Sequence, residues 1–314
     1  MDTVRFGICG TGSFGRRRAK ALKQTRGAAV TLGWSRRQTT RDVFSSELDA
    51  PTVEHWRDLC ESSEVDAVLV CTTNSEHFPH ARAALAAGKH VMVEIPLCSS
   101  AAQAQELAAM ADLNSLVVHH GIQMRHHPDY AEQIEQMRRV GPLLYGIEHS
   151  HWGYGPHRRW HQDPALNAGA REFLAFYMPR WMDAFGGVAR ATGTQSVAED
   201  WSSATIALEF AAGGYCSVGY TLGEDVMDQE TERIVGRLGM IRRNDREPHV
   251  LVTAEGEQAL PTRPMDLVRC DVEAFRDEIL GERDHRAPLQ TDLRAIELVD
   301  LAFGGNVRED GVAD

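Results

Sequence analysis

Val-Arg-Phe-Gly-Ile-Cys-Gly-Thr-Gly-Ser-Phe-Gly, residues 4–15, decides the fold. Residues 4–9 read as a buried strand, and Gly10-Thr11-Gly12-Ser13-Phe14-Gly15 follows directly and opens a helix over 14–24. A strand that passes into a helix through G-x-G-x-x-G is a dinucleotide-binding fingerprint. Gly10 permits the tight turn, Gly12 lets the backbone approach a pyrophosphate, and Gly15 lets helix and strand pack closely. The helix N-terminus supplies free N–H groups. The whole turn, Thr11, Ser13 and Phe14 included, is the expected cofactor loop.

Outward from this turn the pattern repeats. Strands are expected at 29–34, 67–71, 90–94 and 116–119, with helical stretches around 53–61, 77–87 and 101–113. Short apolar strands separated by helices indicate βαβ units and a doubly wound parallel sheet. After about residue 123 the pattern changes. Helices are expected at 129–139 and 171–184. Strands follow at 143–151, 188–193, 204–210, 215–220, 232–235, 240–243 and 250–254, then two closing helices at 272–280 and 291–302 and a frayed tail at 306–314. The expected architecture is an NADP-binding Rossmann domain over 1–122. An α+β domain over 123–314, with a large mostly antiparallel sheet, is expected to bind substrate.

Composition narrows the function. The chain has 314 residues, about twice the ~150 expected of one domain. It carries 33 Lys+Arg against 45 Asp+Glu, a formal charge of −12, which argues against nucleic acid as a partner. No apolar run approaches the ~20 residues that cross a bilayer. MDTVRF enters a strand at once, so no secretory signal is expected and the cytoplasm is the expected location. Six scattered cysteines without a CxxC pair read as buried free thiols.

The second strand ends in Ser35-Arg36-Arg37. A carboxylate at this place would accept the ribose 2′-hydroxyl and repel a 2′-phosphate. Ser35 removes that charge while Arg36 and Arg37 offer cations, so NADPH (NADP+) is the expected cofactor; a solvated basic loop is the plainer alternative. Thr72, Thr73, Asn74 and His77 follow the third expected strand at its carboxyl end, where ribose or nicotinamide would find hydrogen bonds. Helix capping would explain them equally.

Together with Gly10–Gly15, the segments CTTNSEH (71–77), AAGKHVMVEIP (86–96), MRHHPDY (124–130) and WHQDPALNAGA (160–170) resemble the Gfo/Idh/MocA oxidoreductase family. The resemblance implies a Rossmann domain followed by an open α/β domain whose sheet often supports homo-oligomers. Sugar dehydrogenases of that family carry Glu-Lys-Pro, then an Asp and a His four residues on. Here the triplet is Glu94-Ile95-Pro96, and the later pair is Phe173 and Tyr177. Alcohol oxidation needs a group that takes the hydroxyl proton, and neither Ile95 nor Phe173 can. The biliverdin reductase branch dispenses with the lysine. Ser35-Arg36-Arg37, the segment 180–187 and the segment 222–233 resemble that branch, its cyanobacterial form in particular. Ile95 and Val118-His119-His120-Gly121 depart from it.

In a bilin the hydride acceptor is a methine carbon in a conjugated chain, so the substrate itself spreads the charge. The site must supply a cation or donor for the rearranging electrons and anchors for two propionates. The expected catalytic residues are Arg180, Tyr177 and Glu94, with Glu94 also touching the cofactor. A surface ion pair of Arg180 with Asp183 or Glu172, and a packed core role for Tyr177, are the alternatives. Expected substrate contacts are His126, Tyr154, His157, Arg158, Arg159, Arg171 and Arg180, with Trp152, Tyr154 and Trp160 able to stack on a flat ligand or to fill core. The crowded histidines lack metal-site spacing, and no metal is expected. The expected partner is a planar conjugated carboxylate such as a bilin. An NADP-dependent sugar or cyclitol dehydrogenase and a non-catalytic NADP sensor are the competing readings.

Overall fold

The computed structural model describes residues 3–154, 163, 165–167, 169–245, 247–260 and 263–304. The first βαβ series runs β1 (Val4–Cys9), α1 (Ser13–Lys23), β2 (Ala28–Trp34), α2 (Gln38–Leu48), α3 (Trp56–Glu61), β3 (Ala67–Val70), α4 (Asn74–Ala86), β4 (His90–Val93), α5 (Ala101–Asn114) and β5 (Val118–His120). These strands form one parallel sheet in the order β2-β1-β3-β4-β5. β1 and β3 are almost wholly apolar and buried, as strands covered on both faces must be. The order reverses between β1 and β3, and ligands of such sheets bind at the carboxyl ends beside that reversal.

Two elements escape a reading by pattern. The segment QTTRDVFSSEL is mostly polar, yet it forms α2, because Phe44 and Leu48 alone reach the core. The edge strand β13 is GEQAL, exposed except for its last residue, with no apolar alternation to betray it.

After β5 come α6 (Tyr130–Arg138), β6 (Leu143–Gly153), α7 (Leu174–Phe185), β7 (Val188–Val197), β8 (Trp201–Phe210), β9 (Tyr215–Gly223), β10 (Gln229–Gly236), β11 (Gly239–Asn244), β12 (His249–Thr253), β13 (Gly256–Leu260), α8 (Leu267–Leu280) and α9 (Arg286–Gly304). The second sheet has eight strands in the order β13-β12-β11-β10-β6-β9-β8-β7, antiparallel except for β6 against β9. Its inner face is apolar through Ile206, Leu208, Val218, Leu222, Ile234 and Ile241. Trp181 of α7 lies so close over Gly146 of β6 that any Cβ there would meet the indole.

The chain divides into two units, Met1–Tyr130 with Pro264–Leu293, and Ala131–Arg263 with Arg294–Asp314. A single break at 122/123 therefore gives way to a returning segment. The cause is the apolar stripe of α8: Val268, Val272 and Phe275 enter the core formed by Phe6, Ile8 and Leu22, with the Phe6 and Phe275 rings 5.9 Å apart. Asp266 caps α8 by accepting from the Val268 and Arg269 N–H groups. The expected tail at 306–314 lies outside the described residues, among which no helix is long and apolar enough to cross a membrane.

Candidate functional site

The glycine turn is held by β2: the N–H groups of Gly10 and Thr11 donate to the Trp34 carbonyl at 2.8 and 3.1 Å. Gly10 has φ +102°, and a Cβ there would press on the Cys71 backbone. A Cβ at Gly15 would strike the Gly10 carbonyl, whereas one at Gly12 would meet nothing within 4 Å. Gly12 also stands at the N-cap of α1 without a side-chain cap, leaving the helix N-terminus open. Thr11 is buried, and its hydroxyl has no hydrogen-bond partner among the described residues. An open backbone face, uncapped N–H groups and an orphaned hydroxyl together fit a pyrophosphate.

The two glycines therefore separate binding from folding. Gly10→Ala is expected to lower stability by about 1–3 kcal/mol through backbone strain. Gly12→Ala should melt like the wild type while weakening dinucleotide binding by about tenfold, roughly 1.4 kcal/mol. Thermal melting beside a dinucleotide titration checks both.

Ser35 is half-buried, and Arg36 and Arg37 are exposed with no ion pair among the described residues. Behind them Arg41, which pattern reasoning missed, is buried and donates to the Ser35 and Arg36 carbonyls. At the end of β3 the Thr72 hydroxyl meets His80 Nδ1 at 3.2 Å, Thr73 is the N-cap residue of α4, and Asn74 is buried. His77 does not open toward a ligand. Its Nδ1 lies 2.7 Å from the Pro96 carbonyl and its Nε2 3.2 Å from the Thr72 carbonyl, so the ring ties the β3 and β4 loops together. Burial pushes its pKa down despite both carbonyls.

Glu94, at the end of β4, enters a buried ion network. Arg18 of α1 donates through Nε to Glu94 and through Nη1 to Asp271 of α8. Asp271 meets His119 Nε2 at 3.0 Å, and His119 Nδ1 lies 2.7 Å from Glu278. Burial raises the Glu94 pKa, with Arg18 opposing. Burial opposes the charge of His119, but Glu278 and Asp271 overcome it and carry the pKa up to about 10. Burial likewise works against the Asp271 carboxylate, and Arg18 with His119 holds its pKa far below the usual range. Arg18, Asp271 and Glu278 were not foreseen as functional, although a signal exists. Each interrupts an apolar helical stripe, Gly15-Arg18-Ala19-Leu22 in α1 and Val268-Asp271-Val272-Phe275-Glu278 in α8.

His126 belongs to this network rather than to an open substrate surface. It is buried, stacks on His119 with ring centroids 4.7 Å apart, and sits 3.5 Å from Asp271. Burial and the neighbouring His119 push its pKa down to about 3, so it is neutral. His119, His126 and Asp271 bring three ligand atoms within 4.8 Å. Both ring nitrogens of His119 face carboxylates, however, and the Asp271 carboxylate is engaged by Arg18 and His119.

In the second unit Arg180 is neither an exposed cation nor a partner of Asp183 or Glu172. Its Nε lies 3.2 Å from Glu148 of β6 and its Nη2 pairs with Glu232 of β10. Trp181 Nε1 donates to Glu148 at 2.6 Å, and His249 Nε2 meets Glu232 at 2.6 Å. Tyr177 bonds Ser150, and burial pushes its pKa up to about 12. Its ring forms a row with Tyr220 and Phe173, centroids 5.7 and 5.1 Å apart. Tyr154 is buried and donates to the Asp200 carbonyl at 3.3 Å, so its hydroxyl is engaged inside the unit. Arg171 is half-buried in a 3-10 turn. The expected anchors His157, Arg158 and Arg159, and Trp160, lie outside the described residues.

Residues 4–122 match the oxidoreductase family with an NAD-binding Rossmann fold, Gfo/Idh/MocA. Among curated proteins, a dTDP-3,4-didehydro-2,6-dideoxy-alpha-D-glucose 3-reductase of Actinomadura kijaniata is 32% identical over 137 residues, 43% of this chain and 41% of that protein. Mouse biliverdin reductase A is 36% identical over 119 residues, 37% of this chain and 39% of that protein. These matches thus span about two fifths of the curated relatives. The crystal structure of biliverdin reductase from Synechocystis, in complex with biliverdin and NADP+, superposes with TM-score 0.84 at 24% identity, covering 95% of this chain and 98% of that one. At that identity the likeness establishes the two-part fold.

Proposed function

We propose, on the premise that residues 4–122 form the NAD-binding domain of a Gfo/Idh/MocA oxidoreductase, that the protein is an NADPH-dependent reductase of a conjugated C=C or C=N system, with biliverdin to bilirubin the leading case. One observation carries this reading. Where sugar dehydrogenases of the family place Lys, Asp and His, this chain has Ile95, Phe173 and Tyr177, and the latter two stand in an aromatic row with Tyr220. Such a row suits a flat conjugated ligand and does not take a proton from an alcohol. The likenesses to the mouse and Synechocystis biliverdin reductases support it.

The dinucleotide, when bound, supplies the hydride. Gly10–Gly15 would hold its pyrophosphate, and Ser35, Arg36 and Arg37 would take its 2′-phosphate. Thr72, Thr73 and Asn74 would reach its ribose. Tyr177 keeps its proton at neutral pH and so acts as a hydrogen-bond donor rather than as a strong acid. Hydride adds to the methine carbon, and the pyrrole nitrogen takes its proton from water. Arg180, with its charge balanced by Glu148 and Glu232, orients α7 and with it Tyr177. Arg171 is the described candidate for a propionate.

The test is a visible-spectrum titration with biliverdin and NADPH. Loss of absorbance at 340 nm only when the bilin is present, with a new coloured product, is the expected result. Silence with bilins together with brisk reduction of NADP+ by polyols would overturn the reading for that of a sugar or cyclitol dehydrogenase. Tight NADPH binding without oxidation by any ligand would favour the sensor.

A further inference from the structure

We propose that Arg41 is a positioning residue that builds the cradle for a ribose 2′-phosphate, an inference that rests on the NADPH reading above. Arg41 lies on α2 and is 8% exposed. Its Nη1 donates to the carbonyls of Ser35 at 2.7 Å and Arg36 at 3.4 Å, and its Nη2 to the Gln38 side chain. No carboxylate pairs with it among the described residues. A buried guanidinium usually has a counter-ion, because removing its charge from water is costly. Here the positive charge is left unbalanced beneath a loop that already carries Arg36 and Arg37.

The carbonyl contacts also set the direction of the loop's donors. In a trans peptide the C=O and N–H point to opposite sides. Turning the Ser35 and Arg36 carbonyls toward Arg41 therefore turns the N–H groups of Arg36 and Arg37 away from it. Neither N–H has a backbone acceptor among the described residues. Two successive outward N–H groups make an anion-binding concavity, here flanked by the Ser35 hydroxyl and two exposed guanidinium groups. Without Arg41, rotation of these peptides would present carbonyl lone pairs to the same place and repel an anion. The ligand chemistry follows from position. The cradle begins one residue after Trp34, whose carbonyl holds the glycine turn through Gly10 and Thr11. With a pyrophosphate on that turn, the group at the end of β2 is the adenosine ribose, and a phosphate there is a 2′-monoester.

The experiment is calorimetric titration of adenosine 2′,5′-bisphosphate and adenosine 5′-monophosphate into the wild type, Arg41→Met and Arg41→Lys. The wild type should prefer the bisphosphate at least tenfold. Arg41→Met should lose most of that preference while holding the monophosphate within about twofold of wild type. Arg41→Lys, which keeps the charge but cannot fork onto both carbonyls, should lose part of it and covers the case in which the methionine variant fails to fold. Preference retained in both variants, or equal weakening toward both ligands, would overturn the proposal and leave the NADPH reading standing. A wild type without preference would overturn the NADPH reading first, and Arg41 with it.

Discussion

Arg18→Met should be the most damaging single substitution in the first unit, costing about 3–5 kcal/mol, the range for removing one partner of a buried ion pair. Arg18 is fully buried and joins Glu94 to Asp271, so its loss leaves two carboxylates in low dielectric without a cation between them. Arg18→Lys should recover only part, since an ammonium is a point donor and cannot serve both acids as a planar fork does. Urea unfolding checks the size, and a cost below about 1 kcal/mol would mean that water reaches the network. The pH dependence tests the same cluster from its other side. The folded pKa of His119 is raised to about 10, so its contribution is full below the unfolded value near 6.5 and is lost as pH rises toward 10. Asp271 is depressed, so its contribution is present above about 3.9 and is lost as pH falls toward its folded value. The wild type should therefore lose stability above neutrality by at most about 1.4 kcal/mol per pH unit for this one proton, and His119→Gln should flatten that limb.

The chain order of the first sheet was legible because glycines and apolar runs carry it directly. Gly10 and Gly15 each admit a close backbone approach in the structure and Gly12 leaves an open face, and the sequence spacing marks all three. What escaped has a common physical cause. Periodicity reports which face of a helix is buried and not which core receives it, so the stripe of α8 was legible as a stripe but not as part of the first unit. For candidate residues chosen by charge, the sequence leaves the partners out of view. From sequence Arg180 stands as a catalytic cation or a surface ion pair with Asp183 or Glu172, and His126 as a substrate contact, because the carboxylates they meet lie far along the chain: Glu148 and Glu232 for Arg180, and Asp271 for His126. A single sequence shows charge but not its neutralisation. Arg41 is singled out only by its carbonyl contacts and by the lack of a pairing carboxylate among the described residues, neither of which a sequence displays.

Arg180→Ala is the corresponding result expected in the second unit, and here the pH profile should tilt further toward stability at lower pH. In the wild type, burial works against Glu232, but Arg180 and His249 hold its pKa down to about 2, so its contribution is present above the ordinary carboxylate value and fades only in strong acid. Burial raises Glu148, Arg180 opposes, and the nearby Glu232 adds to the rise. Removing Arg180 leaves these acids facing each other inside the sheet, with a loss of about 3–5 kcal/mol at pH 8. The Glu148 carboxyl should then take up a proton on folding, so the variant's stability should rise as the pH is lowered from 8 to 5. Adding Glu148→Gln should restore much of the loss at pH 8, because the amide still accepts from Trp181 and carries no charge. Rates of the proposed reductase reaction, measured well below each melting temperature, separate the two roles of Arg180. If the double variant regains both stability and rate, Arg180 acts by orienting α7 and Tyr177. If stability returns and the rate does not, its guanidinium takes part in the reaction, and the balanced clamp is only its resting arrangement.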